Sequence, residues 1–264
     1  MTGPRPADRP AIGRTKKPRR VDVLGVPVDD VSMADVLAFA EDHIRHGSGV
    51  ATIVSVNPEK VFALHRDPRL MSFFRTSKLL IPDGIGVVMA MRLLHRLKTK
   101  RLVGTDLMHA LCRVAPRQGY RIFIYGGREE VNRKSETLLR SQYPAIQIVG
   151  RANGYIGPDE MAGLIGAIDA ARPDILFVAL GSPRQELWMV QHLAHLEVKI
   201  CQGIGGSLDT ITGDVKRAPM IFQRLGLEWL YRLIRQPGRW RRQIVFPLFA
   251  FRVLRQALTS RRAR

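Results

Sequence analysis

Cysteine is almost missing, with 2 in 264 residues. That excludes a disulfide framework and a multi-cysteine zinc site. Cys112 and Cys201 fall in apolar periodic stretches and read as core thiols. Long apolar runs are missing too. Nothing approaches the about 18 consecutive apolar residues of a simple membrane-spanning helix. The N-terminus is basic and proline-rich with no apolar segment, which is not a secretory signal, so a reducing, cytoplasmic setting is expected. No D-x-D occurs, so a carboxylate pair gripping a Mg²⁺–nucleotide lacks its usual signature. Neither G-x-G-x-x-G nor a P-loop is present, which counts against a nucleotide-cofactor oxidoreductase.

Acidic residues are scarce at both ends. Of the net charge of +19, residues 1–20 hold +6 and residues 215–264 hold +12, with Glu228 the sole acid of the latter. The body between them is near neutral. Basic ends of this kind seek an anionic surface or a polyanion. Residues 1–20 lack apolar periodicity and are expected to be a disordered tail. Residues 21–214 have the composition of a globular domain, and residues 215–264 that of a basic helical appendage. That appendage interleaves arginines with Phe222, Trp229, Tyr231, Trp240, Phe246, Phe249 and Phe251, a pattern suited to a segment lying in a membrane interface. A nucleic-acid-binding protein is the rival reading of the charge. The near-neutral body and the lack of a nucleic-acid motif count against it.

What is present is an alternation of strand and helix signals. Val21–Gly25, Val50–Val56, Leu79–Ile81, Arg121–Tyr125, Ile146–Val149, Ile175–Leu180 and Val198–Gln202 read as strands. Helix starts are marked by Ser32 with Asp35, by Asn57-Pro58, by Asp67-Pro68 and by Thr105. Helices are expected from Ile85 to His95, Glu129 to Gln142, Gly157 to Ala171 and Gln185 to Leu196. In the appendage, Arg217-Ala-Pro219 starts a helix that Gly226 interrupts, Leu227–Arg235 continues it, and Pro237 and Pro247 open further segments. The alternation predicts a Rossmann-like parallel sheet with flanking helices, plus a basic helical C-terminal appendage.

In such a sheet ligands bind beyond the carboxyl ends of the strands. Ser55 and Asn57, Asp83, Gly126-Gly127, Gly181-Ser182-Pro183-Arg184-Gln185-Glu186 and Gly203-Ile-Gly205-Gly206-Ser-Leu-Asp209 all fall there. Asp83 is either a general base or a helix cap, and Asn57 is a site residue or a cap. The glycine turns either admit phosphate to backbone N–H groups or simply reverse the chain. Arg101 belongs to a solvated charge run or to the site. Arg217, Arg232, Arg235, Arg239, Arg241 and Arg242 suit a diphosphate, because guanidinium forks match phosphate oxygens. His192 and His195 lack an accompanying carboxylate, and no metal ligand set is expected.

The ordered set Ser55-Val-Asn57-Pro-Glu59, Ile81-Pro-Asp83-Gly-Ile-Gly86, Arg101-x-x-Gly104-Thr-Asp106, Gly126-Gly127, Gly181-x-Pro183-Arg-Gln185-Glu186, Gly203-x-Gly-Gly206-x-x-Asp209, Arg217-Ala-Pro219 and Leu227-Glu-Trp-Leu-Tyr-Arg232 resembles the WecG/TagA/CpsF family of bacterial glycosyltransferases over about residues 21–245. The resemblance implies an inverting, metal-independent enzyme without a cofactor. Such an enzyme moves N-acetylmannosamine, its uronic acid or glucose from a UDP-sugar to a polyprenyl-diphosphate-linked saccharide. It works peripherally on the inner face of the cell membrane, and a homo-oligomer is compatible. It implies Asp83 as base, with Arg101 and Gln185 lining the pocket. Ser55, Asn57, Gly126, Gly127, Gly181, Pro183, Glu186, Gly205, Gly206 and Asp209 are implied around the substrates, and Arg232, Arg239 and Arg242 at the donor diphosphate. The family's T-x-N reads Ser55-Val-Asn57 here, keeping the hydroxyl and losing a methyl. The appendage is implied to close over the site and touch the membrane.

Overall fold

The computed structural model describes residues 18–215, 218–224, 228–235 and 245–262. Eight strands are formed among them. β1 (Arg19–Val23) and β2 (Val26–Asp30) make an antiparallel hairpin; β3 (Ala51–Val56), β4 (Leu79–Pro82), β5 (Arg121–Gly126), β6 (Gln147–Ala152), β7 (Ile175–Ala179) and β8 (Ile200–Gly203) make a parallel sheet in the order β4-β3-β8-β7-β5-β6. Parallel strands need covered faces, and the strands here are apolar on both sides. Ile53, Ile81, Ile122, Ile124, Ile175 and Phe177 pack on one face under α1 (Met33–His46), α5 (Gly104–Gln118), α6 (Glu129–Gln142) and α9 (Ser207–Ile211). Val54, Val56 and Leu80 pack on the other under α2 (Pro58–Leu64), α3 (Pro68–Thr76) and α4 (Ile85–His95). Phe123, Leu176 and Val178 share that second face with α7 (Met161–Ala171) and α8 (Arg184–His192). The expected Rossmann-like α/β architecture is present.

Local chemistry explains several boundaries. Ser32 and Asp35 form a reciprocal capping box, Asn57 accepts from Lys60 N–H and Asp67 accepts from Arg69 N–H. Other boundaries differ from expectation. The tail expected to reach residue 20 gives way to strand at Arg19, because the Arg20 guanidinium grips the fully buried Asp29 carboxylate at 2.7 and 2.9 Å. Thr105 does not cap α5. The cap is Val103, and the Thr105 hydroxyl lies 2.8 Å from that of Ser207. β6 runs on to Ala152, held by its ladder with β5. β8 starts at Ile200, and the segment from Leu193 to His195 tightens to a 3₁₀ turn after α8.

Beyond the sheet, α10 (Met220–Arg224), α11 (Glu228–Arg235) and α12 (Val245–Arg262) follow. α10 starts directly after Pro219, and Arg217 lies outside the described residues along with Gly226, Leu227, Pro237, Arg239, Trp240, Arg241 and Arg242. Pro247 sits in the first turn of α12, where a helix tolerates proline. α12 lies on α4 and α2. Phe249 and Val253 are buried there, and the Arg252 guanidinium sits 4.8 Å over the Phe62 ring. No described helix is long and apolar enough to cross a membrane.

Candidate active site

All six strands of the sheet are parallel, so their carboxyl ends share one rim. The loops there are tied to one another. Asp83 N–H donates to Val56 O at 3.0 Å, and Leu102 N–H to Pro82 O at 2.9 Å. Gln202 Nε2 donates to Gly104 O at 2.9 Å, and Gly205 N–H to Gln185 Oε1 at 2.9 Å. Gly127 N–H donates to Ala179 O at 3.0 Å.

Asp83 stands at the end of β4 and does not cap the next helix. Gly84 holds the cap position of α4 without a side-chain bond. The carboxylate is thereby left to the groups around it. It lies beside Ser55: a Cβ built on Gly104 falls 3.2 Å from Ser55 Oγ and 3.7 Å from Asp83 Oδ2, so glycine leaves room where both converge. Arg101 is not part of a solvated run. Its Nε donates to Asp83 O at 2.9 Å, and its Nη2 lies 3.9 Å from Asp83 Oδ1 and pairs with Glu228 Oε2 of α11. Burial pushes the Asp83 carboxyl above the usual carboxylate range. The charges of Arg101 and Lys60 and the Gly104 N–H pull it down without cancelling that rise, and Glu228 adds to it.

The other expected positions divide. Asn57 is an N-cap, its Oδ1 accepting from Lys60 N–H at 2.9 Å. Gln185 and Glu186 are buried, each 2 % exposed, and bonded to each other at 2.9 Å. Gln185 thus faces the Gly203–Gly206 loop, while Glu186 is paired with Lys60. Gly126 has φ +121°, and a Cβ there would sit 2.5 Å from the Ala179 carbonyl, so its glycine serves close packing of β5 on β7. Gly127 spends its N–H on Ala179, and the first turn of α6 carries Glu129 and Glu130, which oppose an anion. Gly181 has φ +73° and open space at its Cβ position. Ser182–Pro183 is a cis peptide that leads into α8. Gly205 and Gly206 lead into α9, with Asp209 half-buried in its first turn. Arg232 lies on α11 with its side chain outside the described ones, and Arg239 and Arg242 lie outside the described residues altogether.

Sequence reasoning gave no role to Lys60 or Glu228. For Glu228 a signal existed, since it is the sole acid among residues 215–264. For Lys60 none did: a lysine in the first turn of a helix reads as solvated. A groove of about 650 Å³ between α3 and α8 is lined by Gly49, Val50, Phe73, Met189 and Leu193. It opens near the amino end of β3, away from the rim, and none of the rim residues lines it.

The sequence profile of the glycosyl transferase WecG/TagA/CpsF family matches residues 21–263. The chain belongs to that family. Among its curated relatives is the N-acetylglucosaminyldiphosphoundecaprenol N-acetyl-beta-D-mannosaminyltransferase of Bacillus subtilis (strain 168). It is 37% identical over 235 residues, covering 89% of this chain and 91% of the relative. The protein of the same name from Bacillus spizizenii (strain ATCC 23059 / NRRL B-14472 / W23) is 36% identical over 210 residues, covering 80% and 81%. As a glycosyltransferase of this family the chain uses a sugar donor, and the rim that gathers Ser55, Asp83, Arg101 and Glu228 is its candidate active site.

Proposed function

We propose that the protein transfers an N-acetylmannosamine-type sugar from its UDP derivative to N-acetylglucosamine carried on a polyprenyl diphosphate, with inversion and without a metal ion. The acceptor and the transferred sugar follow the names of the two relatives, which cover most of the chain. The observation that carries the chemistry is the Asp83 carboxylate, held uncapped at a strand end beside Ser55 and within 3.9 Å of Arg101.

The Asp83 carboxylate takes the proton of the acceptor hydroxyl. The oxygen attacks the anomeric carbon as the bond to UDP breaks, and UDP leaves with the electron pair. A single displacement at an α-linked donor gives a β-linked product, and it needs one base and no carboxylate nucleophile. The basic residues of α11 and beyond, Arg232, Arg239 and Arg242 among them, neutralise the departing diphosphate, each such contact being worth roughly 2.7–4 kcal/mol. Arg101 ties that appendage to the base through Glu228. The membrane is the second partner. The outward side of α12 carries Leu248, Phe251, Leu254 and Leu258, all exposed, among arginines.

Transfer of labelled sugar from UDP-N-acetylmannosamine to undecaprenyl-diphosphate N-acetylglucosamine, at an unchanged rate in EDTA, is the expected result. Asp83→Asn is expected to cut turnover at least about a hundredfold while UDP still binds. Parent turnover in that variant removes Asp83 from the base role.

A further inference from the structure

We propose that Lys60, through its buried ion pair with Glu186, is a positioning residue that locks four strand exits of the rim into the geometry transfer requires. The inference rests on Asp83 being the base. Lys60 Nζ lies 2.8 Å from Glu186 Oε1, and the two side chains are only 8% and 2% exposed. Burying two charges is expensive, and packing alone does not require it. The same Glu186 oxygen accepts from Gln185 Nε2 at 2.9 Å, and Gln185 Oε1 accepts from Gly205 N–H at 2.9 Å. At the other end, Lys60 N–H donates to Asn57 Oδ1. Pro58, two residues earlier, packs against the residue after the base: a Cβ at Gly84 would fall 2.8 Å from Pro58 Cδ. One connected path therefore runs from the Asp83–Gly84 turn through α2 to α8 and on to the Gly203–Gly206 loop. These are the exits of β4, β3, β7 and β8.

The path is electrical as well as mechanical. Asp83 is faced by Arg101, Lys60, Glu228 and the N–H of Gly104. The Lys60 charge favours the ionised base. Lys60 also helps to hold Glu186 ionised: burial pushes that carboxyl up, and the lysine, with hydrogen bonds from Gln185 and Ser182, outweighs it. A crevice of about 10 Å³ lined by Lys60, Phe74 and Ser182 adjoins the pair. Lys60 is the cation among the groups that hold the Glu186 carboxylate, beside the Gln185 and Ser182 side chains.

The test is steady-state transfer from UDP-N-acetylmannosamine to undecaprenyl-diphosphate N-acetylglucosamine across pH. The Lys60→Met/Glu186→Gln double variant removes both charges and leaves neither buried alone. It is expected to melt cooperatively with the parent's circular dichroism and to lose about tenfold or more in kcat, since small misplacements at a reacting centre are costly. The acid limb of its kcat/KM profile moves to higher pH, because the base has lost a cation. Parent kcat with a parent acid limb overturns the proposal. Should the double variant fail to fold, Lys60→Gln decides. Its amide still donates to Glu186, which can take up a proton, the cation beside Asp83 is gone, and the acid limb moves to higher pH; an unmoved limb with parent kcat overturns the proposal. Asp83→Asn, run alongside, separates the two questions, since parent turnover there defeats the base assignment whatever Lys60 does.

Discussion

The Asp83 carboxyl is stabilised in its protonated form, the form that the proposed base does not use. Asp83 binds its proton more tightly in the folded protein than an ordinary carboxyl does, because burial outweighs Arg101 and Lys60. The stability this contributes is present below the ordinary value of 3.8 and is lost as pH rises through the folded value. Ionised Asp83 therefore weakens the fold at neutral pH. Asp83→Asn is expected to unfold at a higher temperature than the parent at pH 7, while thermal midpoints converge towards pH 3. A lower midpoint at pH 7 contradicts this account. The same shift places the acid limb of kcat/KM above the usual carboxylate range. Glu228→Gln, which removes an acid that raises Asp83, moves that limb to lower pH in a profile measured under identical salt. The place of Asp83 at a strand exit was legible in the sequence, because Leu79–Ile81 marks the strand before it; its role as base came only from the family resemblance. Its alternative as a helix cap failed because Gly84 takes the cap position. Lys60 was not legible, because its partner Glu186 is more than a hundred residues away.

Elements whose ends are fixed by neighbouring residues were the legible ones. Ser32 with Asp35, Asn57-Pro58 and Asp67-Pro68 each place a side-chain acceptor beside a backbone N–H, and the three helices start there. The hairpin of β1 and β2 was half missed, since Val26–Asp30 contains Pro27 and owes its place to contacts far along the chain. Asp29, fully buried, accepts from both Arg20 and Leu80 N–H. Arg20→Ala leaves that carboxylate short of its cation. It is expected to cost about 3 kcal/mol by denaturant titration, the low end for a buried pair, since Arg20 is itself partly solvated. The glycine turn after β5 gives a second test of element packing. Gly126→Ala places a methyl against the Ala179 carbonyl at a φ that alanine avoids, and overpacking of this kind costs about 1–3 kcal/mol before the backbone strain is added. An unchanged denaturation midpoint would show that β5 and β7 can separate there freely.

At the scale of the molecule, charge and apolar surface are both displaced from the body to the end of the chain. α12 is two-sided. Phe249 and Val253 are inserted beside α2 and α4, and Gln256 accepts from Leu24 N–H at 3.3 Å. The opposite side presents Phe251, Leu254 and Leu258, which are 63%, 56% and 64% exposed. Met89 and Leu93 of α4, the helix beneath, are exposed too. An apolar stripe flanked by Arg252 and Arg255 is suited to an anionic lipid surface, where burial of the stripe and attraction of the arginines add. Under the proposed function, such contact would bring the enzyme to a lipid-linked acceptor. Deleting residues 215–264 tests this poorly, since removing Phe249 and Val253 opens the core. Phe251→Asn/Leu254→Asn/Leu258→Asn changes the outer side alone. That triple variant is expected to keep the parent's melting temperature and its transfer to a detergent-solubilised acceptor. It is expected to sediment with anionic vesicles at least about tenfold less than the parent, because three exposed apolar side chains no longer enter the interface. Parent-level sedimentation at about 0.15 M salt would assign membrane contact to another surface.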